Sequence, residues 1–189
     1  MRRKSISSRS TSTLSRWRHK LRIRWHRTHK GPWIVGSLLV LAVTAISYSV
    51  YAIHVYQVER QELTCLTLNV YFEARGEPKA GQYAVAEVTM NRVASERYPD
   101  SVCGVVYQKN WDWIRGRYVS AFSWTEFDTW PSPKSEDWKQ AWEIAEEVYY
   151  RRRPPTLQGA LFFHSIYIKP SWSRGKPPVA RIGNHVFYK

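Results

Sequence analysis

The sequence predicts a mostly helical α+β domain with a small sheet, set behind one transmembrane helix. Three observations carry that expectation. A run of 22 residues without a charge, Pro32 to Ile53, follows a strongly basic leader. Apolar residues then recur at helical spacing in three segments between Leu63 and Tyr150. From Gly159 onward the pattern alternates like strands around a loop rich in Pro and Gly.

The leader comes first. The chain has 189 residues and a formal net charge of +14, and eleven Lys or Arg with no acid lie in Met1 to Lys30. Everything after the leader therefore carries only about +3, so the basic balance describes a tail and gives the body no nucleic-acid signature. Residues 1–31 are rich in Ser and Thr, have little to bury, and read as a disordered cytoplasmic tail drawn to anionic head groups. No specific nucleic acid is expected as a partner.

Residues 32–54 read as a signal-anchor helix. The uncharged run would extend about 33 Å as a helix, enough to cross a hydrocarbon core. Trp33 at one end and Tyr48, Tyr51 and Tyr56 at the other suit the two interfaces. A cleaved signal peptide would have a shorter apolar run and small residues at its exit. The preceding charges predict a cytoplasmic N-terminus, which makes this a single-pass inner (cytoplasmic) membrane protein in contact with lipid and an exported domain over residues 63–189.

Residues 55–62 form a connector or a continuation of the helix. The next helix carries Leu63, Leu66, Val70 and Ala74 on one face, and Gly76 and Pro78 end it. A second helix is expected from Lys79 to Ala94, with Ala80, Ala84, Val88 and Asn91 on one face. Tyr98 to Gly104 should turn, and Trp111 to Pro133 should be irregular. Ser135 is an N-cap for a helix over Glu136 to Tyr150, which Pro154 closes off. ALFFHSIY and NHVFY read as strands.

Chemistry has few places to sit. Glu73 falls in the last turn of a helix, where the dipole disfavours an ionised carboxylate, and Val70, Tyr71 and Phe72 can desolvate it. Arg75 opposes this if it points inward. Glu77, four residues on, is either its partner or a cap-region residue before Pro78. Cys65 and Cys103 are a disulfide candidate in an exported domain, or two separate thiols. No Cys/His spacing suits a metal, and no cofactor is expected. The 10 Trp and 12 Tyr suit either sugar stacking or a compact core.

The stretch CLTLNVYFEARGEPKAGQYAVAEVTMNRV, Cys65 to Val93, resembles the signature of the SleB-type cell wall hydrolases, which include spore-cortex-lytic enzymes. YPDSVCGVVYQ, Phe122-Ser123-Trp124, GALFFHSIYIKPSW and IGNHVFY continue the resemblance in order over about 125 residues. The resemblance implies a lysozyme-like catalytic domain with a small antiparallel sheet. It implies peptidoglycan as the partner, cut between N-acetylmuramic acid and N-acetylglucosamine by a lytic transglycosylase. Glu73 would be the general acid and base. Glu77, Gln82, Phe122, Ser123, His164, Trp172 and Tyr188 become candidates for substrate binding. Gln82 would hold an acetamido group or orient Glu73, or simply be a polar residue in a first helical turn. Asn91 reads better as a core hydrogen bond.

The resemblance leaves a water-using muramidase open on the same Glu. A non-catalytic wall-binding protein is a further alternative. Trp111 to Pro133 is longer and more aromatic than the family pattern.

Overall fold

The computed structural model describes residues 30–157 and 159–189. The tail expected to be disordered falls outside the described residues as far as position 29. Two compact units divide the chain, Met1–His54 and Val55–Lys189.

In the first unit, helix α1 (Gly31–Ala74) begins, and it is long and apolar enough to cross a membrane. Every residue from Pro32 to His54 is exposed, Leu38, Leu41 and Ile46 among them. A helix that is apolar all round needs an apolar surround. Its hydroxyls behave accordingly: Ser37, Thr44 and Ser49 donate to the carbonyls of Trp33, Leu41 and Ala45. A side chain bonded to its own helix asks nothing of its surroundings.

The second unit starts earlier than position 63. Residues 55–62 are helical, the continuation of the helix that the sequence allowed, and no Gly or Pro interrupts the chain between Gly36 and Gly76. They also pack. The Arg60 guanidinium lies over the Trp142 ring at 4.9 Å, and the Glu62 carboxylate accepts the Val102 N–H. That carboxylate supports the start of α3 (Val102–Val106), where Ser101 accepts from Gly104 N–H at 3.1 Å as the N-cap. The expected turn therefore covers only the approach to this short helix.

Helix α2 (Lys79–Val93) follows Pro78, and α4 (Glu136–Tyr149) opens with Ser135 accepting from Trp138 N–H at 3.3 Å. Leu63, Leu66 and Val70 of α1 meet Ala86 of α2, Val102 and Val106 of α3, and Ile144, Ala145 and Val148 of α4 in one core. A second core joins Val85 and Val88 of α2 to Phe187 of a three-stranded antiparallel sheet. Its strands β3 (Phe162–Ser165), β4 (Ala180–Ile182) and β5 (His185–Tyr188) lie in the order β3-β5-β4. Asn91 Nδ2 ties the two regions by donating to Leu157 O at 2.7 Å and Ala160 O at 3.0 Å.

The stretch expected to be irregular contains order. Strands β1 (Lys109–Asp112) and β2 (Arg117–Ser120) form an antiparallel hairpin, and a 3-10 turn follows at Ser123–Glu126. The Asp112 carboxylate makes the hairpin turn by accepting from Ile114 N–H and Arg115 N–H, and Gly116 takes the positive φ of 58°.

Cys65 of α1 and Cys103 of α3 are joined in a disulfide across a separation of 38 residues. Closing a loop of that length stabilises by about 4 kcal/mol in the chain-entropy model. A Cys65→Ser/Cys103→Ser chain in detergent should show a urea midpoint lowered by the equivalent of about 3–4 kcal/mol. An unchanged midpoint would mean that the packing around Leu66 and Val102 holds these helices unaided.

Candidate active site

Glu73 stands in the last turn of α1, where Gly76 and Pro78 force the chain to leave the helix. Its neighbours build an apolar shell. Phe72 stacks on Trp124 with centroids 4.8 Å apart, and Tyr71 meets Phe72 edge-on at 5.1 Å. Ala74 is buried. Burial lifts the Glu73 carboxyl from its usual range to about 7, and the Arg92 cation pulls in the opposite direction. Desolvation wins that contest. Arg75 takes no part, since its guanidinium lies over the Tyr71 ring at 5.0 Å and the residue is exposed.

Arg92 is the residue that sequence reasoning missed. It comes from the end of α2, and its Nε donates to Leu161 O at 2.8 Å. Its guanidinium lies 5.4 Å from the Tyr98 ring and 5.4 Å from the Phe122 ring. Burial lowers its pKa, while Tyr98 and Glu73 act against that. The one sequence signal was its place beside Asn91 in the Met-Asn-Arg-Val step, where it reads as an ordinary cation in a last helical turn.

Arg92 and Tyr98 line a cleft of about 350 Å³. Gln108, Asn110 and Ala121, around the β1–β2 hairpin, line it as well, together with Phe162, Phe163 and Trp172. The lining thus combines aromatic rings with two side-chain amides. That suits a ligand with apolar ring faces and acetamido or hydroxyl groups.

The binding candidates named from the sequence fall into three groups. Phe122 is buried against Arg92, and Ser123 is exposed at the start of the 3-10 turn. His164, Trp172 and Tyr188 cluster together on the sheet. His164 Nδ1 donates to Ser165 O at 2.8 Å, which leaves Nε2 to accept from the Tyr188 hydroxyl at 3.1 Å. Trp172 sets its ring against both, with centroids 5.5 Å away in each case. Trp172 lines the cleft, whereas His164 and Tyr188 stand behind it.

Glu77 and Gln82 form the third group, away from the cleft lining. The Glu77 carboxylate accepts from Asn184 N–H at 2.7 Å and from Asn184 Nδ2 at 3.1 Å. Gln82 is buried and its Nε2 donates to Glu77 O at 3.0 Å. Together they tie the β4–β5 turn to the start of α2. Gly183 is required there, because its φ is +57° and a Cβ would lie 2.0 Å from the Glu77 carboxylate. His185, 4.0 Å from that carboxylate, has its pKa lowered chiefly by burial. Among the described residues no group of His, Cys, Asp and Glu could hold a metal ion.

Glu73 is thus a half-buried acid that keeps its proton near neutrality, within the field of an Arg that itself lines an aromatic cleft, and such an acid can serve general acid–base chemistry. The chain belongs to the cell wall hydrolase family, which it matches over residues 76–188. Glu73 lies three positions before that match. The chain is 30% identical over 130 residues to a spore cortex-lytic enzyme of Bacillus subtilis, covering 67% of this chain and 37% of the relative. It is 31% identical over 124 residues to that of Oceanobacillus iheyensis, covering 64% and 38%. It thus spans about two fifths of these curated relatives.

Among solved structures, the catalytic domain of the germination-specific lytic transglycosylase SleB from Bacillus anthracis is similar, with a TM-score of 0.53 and 26% identity over 68% of this chain and 93% of that one. The Bacillus cereus SleB catalytic domain gives 0.52 and 26%, over 68% and 91%. The expected resemblance and the mostly helical fold with small antiparallel sheets both hold.

The raised Glu73 acid carries a stability consequence. The folded state binds a proton between pH 4.5 and about 7 that the unfolded state has released. This contribution is fully present below about 4.5 and is lost as pH rises through 7. Relative to a Glu73→Gln chain, the native chain should lose on the order of 3 kcal/mol between pH 4 and pH 7.5. Urea midpoints of the two chains across that range measure it, and parallel curves would place Glu73 in water.

Proposed function

We propose that this chain cuts the glycan strands of bacterial peptidoglycan between N-acetylmuramic acid and N-acetylglucosamine. The raised pKa of Glu73, in the field of an Arg92 that lines the aromatic cleft, is the observation that carries the reading. Family membership and the likeness to a structure described as a lytic transglycosylase support it.

Protonated Glu73 donates to the glycosidic oxygen as the bond to the muramic anomeric carbon breaks. The leaving sugar departs with that proton as its new hydroxyl. Glu73, now a carboxylate, takes the proton of the muramic 6-hydroxyl as that oxygen closes onto the anomeric carbon. The product is a 1,6-anhydro end, no water is consumed, and Glu73 is returned protonated. One carboxyl serves both steps, so no second carboxylate is required in the cleft. Arg92 keeps the ionised form within reach in the second step while burial keeps the acid form in the first. The water-using muramidase differs only in the nucleophile, and the same Glu73 serves it.

Residues 32–54 act in this reading as an inner-membrane anchor. The cationic leader stays in the cytoplasm, and the domain faces the wall on the far side.

Full chain in detergent micelles should convert purified peptidoglycan into anhydro-muropeptides, read by mass spectrometry. Glu73→Gln should lower the rate by about 10²–10⁴-fold. Above pH 7 the native rate should fall about tenfold per unit as the acid form is depleted. Reducing muramic ends in place of anhydro ends would convert the assignment to a muramidase. An undiminished rate in the Gln variant would remove Glu73 from the chemistry.

A further inference from the structure

Behind Trp172 lies a second cleft, of about 380 Å³, that the reaction above does not use. His164 and Tyr188, on the sheet face opposite Phe163 and Phe187, line it. Lys169, Arg174, Lys176 and Arg181 also line it. Among the described residues none of these four cations lies within ion-pair distance of a carboxylate.

The concentration of positive charge is not accidental to a basic chain. From Val148 to Lys189 there are eight Lys or Arg and no acid, whereas from Gly31 to Glu147 fifteen acids outnumber ten cations. A cleft lined by one sign of charge focuses its field and gathers counter-ions. Here the cleft also shares a wall with the first one. The Trp172 ring lines the first cleft and packs on His164 and Tyr188 of the second. Lys176 Nζ stands 5.4 Å from the ring of Phe162, another residue of the first cleft.

We propose that this second cleft binds carboxylates of the peptide stems carried by muramic acid, so that the chain prefers peptide-bearing strands to bare ones. The inference rests on the functional reading above. Where the lactyl carboxyl of a muramic residue is tied up in its amide to the peptide, the sugars offer no charge to four cations, and the carboxylates of the peptide do. A strand seated along Phe162 and Trp172 brings its substituents to the neighbouring cleft. The Arg174 and Arg181 forks suit paired carboxylate oxygens.

The test measures binding with a full-length Glu73→Gln chain, so that turnover does not enter, alongside cleavage by the native chain. The probes are soluble glycan fragments with intact stems, the same fragments stripped by an amidase with the freed lactyl carboxyls then capped as methylamides, and vesicles of anionic phospholipid. Intact fragments should bind about tenfold more tightly than stripped ones, the size of two exposed charge contacts, and the ratio should shrink as salt rises. Adding Arg174→Gln/Arg181→Gln should bring the ratio toward one. Adding Arg152→Gln/Lys189→Gln, which removes two charges from the same segment outside the cleft lining, should leave it intact. A preference that survives Arg174→Gln/Arg181→Gln, or one lost equally in both double variants, overturns the subsite. So does displacement of intact fragments by vesicles without discrimination between intact and stripped ones. Absence of cleavage by the native chain would overturn the enzymatic reading alone, because the binding ratio is read independently.

Discussion

The Arg92 guanidinium is the constraint on which the site depends. It is taken largely out of water, and such a charge must find compensation. It does so through a carbonyl of the chain entering β3, two aromatic faces and the field of Glu73. These contacts join the end of α2 to the sheet and to the 3-10 turn, and so set the width of the cleft. They also set the acid. A carboxylate in direct contact with a guanidinium falls well below its usual range. No such ion pair forms among the described residues, and Glu73 rises to about 7. The cation is near enough to moderate burial and too well occupied elsewhere to cancel it.

Glu73 and Glu77 show how four residues of backbone separate a half-buried acid from a scaffolding carboxylate. On an uninterrupted helix they would share a face and raise one another's pKa. Gly76 and Pro78 end that possibility. Glu73 stays on the helix, half-buried and in the field of Arg92. Glu77 turns toward Asn184, and both of its oxygens accept hydrogen bonds there. The second carboxylate is therefore a strut for the β4–β5 turn, which holds Phe187 in the core behind the cleft.

The helices were legible because their signals are local: Ser135 as a cap, Pro78 as a start, apolar residues three and four apart. The β1–β2 hairpin was not legible. Its strands are four residues long, its turn relies on a single Asp112 carboxylate, and Trp111 and Tyr118 are displayed outward, so no alternation marks a buried face. Glu73 was one candidate from its position at a helix end, and the family resemblance of the EARGEP step singled it out. Arg92 could not, because burial of a cation depends on residues 98, 122 and 161, which only the fold brings to it. His164 and Tyr188 show the same limit. Their pairing follows from strand register, with His164 opposite Val186 and Phe162 opposite Tyr188, which residue type alone does not reveal.

Helix α1 carries two kinds of surface under one backbone pattern. Up to His54 its apolar side chains are exposed all round, and its hydroxyls turn back on their own carbonyls. From Leu63 the side chains are mostly buried, and polar groups begin to bond across elements, as Asn69 does to Thr89 at 2.9 Å. An apolar run exposed all round is compatible with an apolar surround, while the stretch from Leu63 packs Leu66 and Val70 into the core of the second unit. The change lies between His54 and Leu63, and the first charges after the run, Glu59 and Arg60, fall inside that interval. The chain divides into its two units at the start of that interval. One helix, Gly31–Ala74, is assigned through both stretches, so it is the side chains and not the backbone that distinguish them.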